Sequence, residues 1–217
     1  MKKGLTELVF ILDRSGSMSG LESDTIGGYN SMLEKQKKVE GEALVTTVLF
    51  DDKYELLHDR VNLRGVVPIT EKEYYVRGTT ALLDAIGLTI NKIVNAHKHI
   101  SKEEVPDHTL FVITTDGMEN ASREYTYDKV REMVEYQKNK YGWEFIFLGA
   151  NIDAIETAQR FGIDKDRSAN YNADSEGTIL NFQVISEAVS NIRVNKKISD
   201  NWKAPIEEDY NRRKVKR

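Results

Sequence analysis

Short apolar runs alternate along the chain with stretches whose apolar positions recur every three or four residues. Leu8-Val9-Phe10-Ile11-Leu12 is apolar throughout and stops at Asp13. A run with no polar alternation predicts a strand buried on both faces. Similar runs occupy Ala43–Phe50, Thr109–Thr115 and Glu144–Leu148. Tyr54–Val61 follows the second run after Asp51-Asp52-Lys53, a polar gap that predicts a hairpin. Between these runs, Leu82, Ala85, Ile86, Ile90, Ile93 and Val94 have the spacing of one helix face. So do Tyr127, Val130, Met133 and Val134, then Ile152, Ile155, Ala158 and Phe161, and later Ile179, Phe182, Ile185, Val189 and Ile192. Tyr29, Leu33 and Val39 mark a weaker helix, and Asp153 stands where a cap would.

Strands alternating with helices imply right-handed crossovers and a parallel sheet covered on both faces. The expected fold is therefore α/β: three layers, doubly wound, with a mostly parallel central sheet, one antiparallel edge strand and helices on both faces. No fixed-period repeat or Pro/Ser-rich linker divides the chain. One domain is expected over residues 1–195. Residues 196–217 are expected to be a polar C-terminal tail ending in the basic cluster Arg212-Arg213-Lys214-Val215-Lys216-Arg217. A solvated tail is the plain reading, and a partner-binding basic tail the sharper one.

Composition narrows the function classes. The 217 residues are 40% hydrophobic and 30% charged, enough apolar content for a core. A formal net charge of −4 gives no general attraction to nucleic acid or to an anionic membrane. The absence of cysteine removes disulfides, thiolate metal sites and cysteine nucleophiles together. The apolar run Leu8–Leu12 is too short for a secretory segment, and no stretch approaches a membrane span, so a cytoplasmic protein is expected.

The candidate chemistry sits at strand ends, where parallel α/β sheets bind ligands. The first apolar run leads directly into Asp13-Arg14-Ser15-Gly16-Ser17, a carboxylate and two hydroxyls spaced two apart. Oxygen ligands on a tight loop suit a small hard cation such as Mg²⁺, and Mn²⁺ accepts the same octahedral oxygen set. A second central run ends in Thr115-Asp116-Gly117, and Arg77-Gly78-Thr79-Thr80-Ala81-Leu82 delivers hydroxyls ahead of the longest amphipathic stretch.

These three segments resemble the von Willebrand factor A family. Asp13-Arg14-Ser15-Gly16-Ser17 matches the Asp-x-Ser-x-Ser signature that opens its metal-ion-dependent adhesion site. Gly78-Thr79-Thr80-Ala81-Leu82-Leu83-Asp84-Ala85 resembles the second element, and Thr115-Asp116-Gly117 the third. The likeness spans roughly residues 5–195, and the three elements stand in family order. It implies that Asp13, Ser15, Ser17, Thr80 and Asp116 form a Mg²⁺ site. Ser15, Ser17 and Thr80 would ligate through hydroxyls, and Asp13 and Asp116 would act mainly through water or change between direct and water-mediated contact. A coordination position left open would take an Asp or Glu carboxylate from a protein partner. The resemblance is to the small bacterial or phage-associated intracellular members, which points to an intracellular assembly. Arg14 and Met18 fall at variable positions of the motif.

Other readings stand beside this one. Asp13 and Ser15 alone would serve as caps of the first helix, Thr80 only as an N-cap, Thr79 as the ligand instead of Thr80, and Asp116 as a turn residue. Glu119 reads as an exposed loop acid and Asp84 as a structural hydrogen-bonder. Asn170-Tyr171-Asn172-Ala173-Asp174 starts like a calcium loop, but Ser175 and Asn181 stand where such a loop needs Gly and Glu. The four histidines are scattered, and no nucleotide-binding Gly-rich loop occurs. A Mg²⁺-dependent phosphohydrolase is the enzyme alternative, although Ser15 stands where a second acid would act. A scaffold with a purely structural metal is the third reading.

Overall fold

The computed structural model describes residues 1–214, without the side chains of Lys2 and Lys3. Residues 215–217 of the basic cluster lie outside the described residues. The chain runs β1 (Lys2–Asp13), α1 (Glu22–Gln36), β2 (Glu42–Phe50), β3 (Tyr54–Asn62), α2 (Leu82–Lys98), β4 (Pro106–Thr115), α3 (Tyr127–Tyr141), β5 (Glu144–Gly149), α4 (Ala154–Arg160), β6 (Ser168–Asn170), α5 (Ser175–Asn195) and α6 (Ala204–Lys214). The six strands form one sheet in the order β3-β2-β1-β4-β5-β6. All neighbours are parallel except β2 and β3, which form the expected hairpin at one edge. The doubly wound α/β fold expected from the apolar rhythm is the fold observed.

Strand β1 shows why its apolar run lacks polar alternation. Leu8, Phe10 and Leu12 join the core beneath α1 and α5, while Val9 and Ile11 join the core beneath α2, α3 and α4. Each fully buried Leu, Ile or Val contributes about 1.5–3 kcal/mol. Caps punctuate the helices. Thr126 accepts from the Lys129 N–H at 3.3 Å to start α3, and Gly142 ends it with φ +66°, a left-handed position that glycine adopts without strain. Asp153 caps α4 and Asp174 caps α5.

The α1–α5 contact has one steric consequence. A Cβ at Gly28 would lie 2.8 Å from Cγ and 3.0 Å from Cβ of the buried Phe182. Gly28→Ala is expected to lower stability by about 1–3 kcal/mol in urea unfolding. This holds although alanine by itself favours a helix interior by about 1 kcal/mol. A stabilised variant would mean that the two helices can separate freely.

The C-terminal segment departs from expectation. Residues 196–214 are not a solvated tail: Ile198, Trp202 and Ile206 are buried in the α1/α5 core, and the Trp202 indole N–H donates to the Asp166 carbonyl at 2.8 Å. Helix α6 is fastened at Asp209, which accepts from Asn172, Arg212 and Arg213. Part of the basic cluster is thus engaged within the fold, with Arg213 also paired to Asp174 at 2.6 Å.

The edge strand β3 is irregular. Its register with β2 shifts between Val45 and Thr47 and again between Thr47 and Val48, and Arg60 takes φ +50°. The Arg60 guanidinium turns inward to Glu7, a fully buried carboxylate on β1, at 2.9 Å. Among the described residues, no helix is long and apolar enough to cross a membrane.

Candidate metal centre

The strand order reverses direction between β1 and β4, and their carboxyl ends lie side by side: Leu12 pairs with Thr114, which sets Asp13 beside Thr115. This is the place where doubly wound sheets bind ligands. Asp13 is buried; its Oδ2 accepts from Thr115 Oγ1 at 2.5 Å and its Oδ1 from the Ser15 N–H at 2.7 Å. Ser15 and Ser17 Oγ atoms are 3.1 Å apart, Thr80 Oγ1 donates to Ser15 Oγ at 3.0 Å, and Ser17 Oγ donates to Asp116 Oδ1. The five residues singled out in the sequence therefore meet in one cluster of oxygens drawn from three loops.

Two alternatives, capping of α1 by Asp13 and Ser15 and Thr79 in place of Thr80, do not match the geometry, while Asp116 does lie in the bend before Gly117. Asp13 and Ser15 do not cap α1, which begins at Glu22 behind a short 3₁₀ turn over Gly16–Met18. Thr80 is buried in the cluster, whereas Thr79 is exposed. Gly117 packs directly over the cluster, where a Cβ would stand 3.0 Å from Ser17 Oγ and 3.2 Å from Thr80 Oγ1.

Burial pushes the Asp13 carboxyl up to about 6, against the hydrogen bonds from Thr115 and Ser15 that lower it, and nearby Asp116 adds to the rise. Burial also raises Asp116, and its Oδ2 is buried with no hydrogen-bond partner among the described residues. Two crowded carboxylates, three hydroxyls and an orphaned carboxylate oxygen fit a hard divalent cation. Among the described residues, no group of three or more His, Asp or Glu side chains is placed to hold a metal; the hydroxyls carry this donor set.

The loop after β4 does more than present Asp116. Helix α2 has no local side-chain cap. Instead Glu119 accepts from the Leu83 N–H at 2.9 Å, Ser122 Oγ from Asp84 N–H at 3.0 Å, and Asn120 Oδ1 from Thr80 N–H at 2.9 Å. Asp84 reciprocates by accepting the N–H groups of Arg123, Glu124 and Tyr125, the structural role expected of it. Glu119 is thus a cross-chain cap and not a free loop acid. Its helix partner Leu83 lies 36 residues away, so local spacing does not reveal the capping role, although its other oxygen accepts locally from the Ala121 and Ser122 N–H groups.

Arg14, at a variable position of the first motif, is fully buried. Its Nε donates to Asp51 Oδ2 at 2.9 Å and its Nη2 to Glu55 Oε2 at 2.7 Å. The adjacent motif serine gave no sign of this arrangement.

No family model and no curated protein matches the sequence. Solved structures do. Proximal thread matrix protein 1 from the mussel byssus, with a zinc-occupied MIDAS motif, superposes with TM-score 0.57 at 13% identity, over 85% of this chain and 46% of that one. The chain thus spans less than half the length of that protein. The vWF domain of the type V pili tip protein Mfa5 from Porphyromonas gingivalis matches with TM-score 0.58 at 10% identity, covering 90% of this chain and 98% of that one. Manganese-loaded TRAP protein from Plasmodium vivax matches with TM-score 0.56 at 15% identity, covering 84% and 74%. At such identities the likeness is one of fold, and that fold is the von Willebrand factor A-type, Rossmann-like α/β sandwich.

Proposed function

We propose that the chain is a metal-dependent protein-binding module that holds Mg²⁺ at Asp13, Ser15, Ser17, Thr80 and Asp116 and recognises an acidic residue of a partner protein. The observation that carries this reading is the buried, partnerless Oδ2 of Asp116 beside three clustered hydroxyls. Ser15, Ser17 and Thr80 would hold the ion through neutral oxygens, and Asp13 and Asp116 would supply charge directly or through water. With the two carboxylates acting through water, three neutral direct ligands would leave the cation's charge under-compensated, so a partner's Asp or Glu would be a favourable further ligand. Mn²⁺ fits the same donor set. The zinc-occupied MIDAS motif of the mussel protein and the manganese-loaded Plasmodium protein support a divalent ion in general.

Catalysis is the weaker reading, because Ser15 occupies the place a second acid would need and its hydroxyl lies within the cluster. A capture experiment with immobilised protein in Mg²⁺, in chelator, and with Asp13→Ala tests the proposal. Partners should be retained only by the wild-type protein in Mg²⁺. Equal retention in chelator would overturn partner recognition through the ion.

A further inference from the structure

The segment leading to Thr80 has little regular structure, yet it is fastened to the Asp13–Ser17 loop at close intervals. Tyr74 OH donates to the Asp13 carbonyl at 2.5 Å, the Arg77 N–H to the Arg14 carbonyl at 3.0 Å, and the Gly16 N–H to the Gly78 carbonyl at 3.2 Å. One buried carboxylate joins these strands of the site. Asp51 Oδ2 accepts both Arg14 Nε at 2.9 Å and Arg77 Nε at 2.7 Å, and the Asp51 carbonyl accepts the N–H of Ala81, next to Thr80, at 2.8 Å. The remaining Arg14 nitrogens donate to Glu55 and to the Glu73 carbonyl, while Tyr75 lies within 5.3 Å of both guanidinium carbons. Gly78 takes φ +67°, and a Cβ there would stand 3.2 Å from Asp52 Cγ and 3.5 Å from Asp51 Cβ, so this turn has no room for a side chain.

We infer that Arg14, Asp51 and Arg77 form a positioning clamp that fixes the separation of Thr80 from Ser15 and so sets which cation the site accepts. The inference rests on the metal-binding reading above. A rigid guanidinium fork transmits position because its donors share one plane, and a pair of forks on one carboxylate oxygen locks two chain segments to each other. Mg²⁺ needs near-ideal contacts at about 2.0–2.1 Å, whereas Ca²⁺ accepts looser contacts at about 2.3–2.6 Å. Loosening the clamp therefore penalises Mg²⁺ more than Ca²⁺.

The test is calorimetric titration of the full chain with Mg²⁺, Mn²⁺ and Ca²⁺. Arg14→Gln removes the buried centre of the clamp. Arg77→Gln, at a side chain 35% exposed, loosens it with less risk to folding and keeps the test valid if the first variant does not fold. Both should bind Mg²⁺ about tenfold or more weakly and show a smaller preference for Mg²⁺ over Ca²⁺. Arg77→Lys should recover part of the affinity, and Arg131→Gln, which breaks the exposed pair with Glu135, should leave both quantities unchanged. Arg77→Gln with wild-type affinity and wild-type Mg²⁺-to-Ca²⁺ ratio would overturn the clamp alone. A wild-type protein that binds none of the three ions would overturn the metal centre and the clamp with it.

Discussion

In saturating Mg²⁺, Asp116→Asn will melt well below the wild-type protein, and in EDTA it will melt no lower. The crossover follows from where the carboxylate sits. Asp116 is 2% exposed, one oxygen accepts from Ser17 and the other has no partner. Without a cation, a buried charge held by a single neutral hydroxyl opposes folding, and a neutral side chain of the same shape relieves that cost. With a cation bound as proposed, the same charge would become a ligand. An ion at a hundredfold excess over its Kd stabilises the native state by about 2.7 kcal/mol. For a chain of this size that raises the melting temperature by roughly 5–10 °C. Differential scanning calorimetry in the two buffers measures both arms. A variant that gains as much from Mg²⁺ as the wild type would remove Asp116 from the site.

Trp202→Ala is expected to cost about 3–5 kcal/mol in urea unfolding followed by circular dichroism. Trp202 is 6% exposed, packs in the core with Ile198 and Ile206, and uses its indole N–H on the Asp166 carbonyl. A residue on a solvated tail would change stability by about 0.5 kcal/mol at most. The two outcomes are far enough apart for one titration to decide whether residues 198–206 belong to the folded body.

That prediction also marks where sequence reasoning stops. Ile198, Trp202 and Ile206 stand at four-residue intervals, but polar neighbours dilute them, and judging the segment by its mean polarity hides the spacing. Strand β6 is hidden for another reason: Ser168-Ala169-Asn170 has no apolar run and forms only because β5 offers it a free edge. Strand β1 begins earlier than Leu8 because Glu7, which would argue against a buried strand, is neutralised from afar by Arg60. The central strands were legible because burial on both faces leaves an uninterrupted apolar signature. The oxygen cluster was legible because its first motif packs three of its oxygen-bearing side chains into five residues. Arg14 and Glu119 were not legible as structural anchors, because Asp51 lies 37 residues from the one and Leu83 lies 36 from the other.

The two margins of the sheet have a consequence for how copies of this protein meet. At one margin, the twice-broken register of β3 and the left-handed turn at Arg60 deny an incoming strand a straight ladder of donors and acceptors. At the other, β6 is three residues long, and Lys203 already occupies the carbonyl of Ser168 at 2.9 Å. Neither side can template strand-by-strand growth, so crowding this protein should not seed fibrils through its sheet.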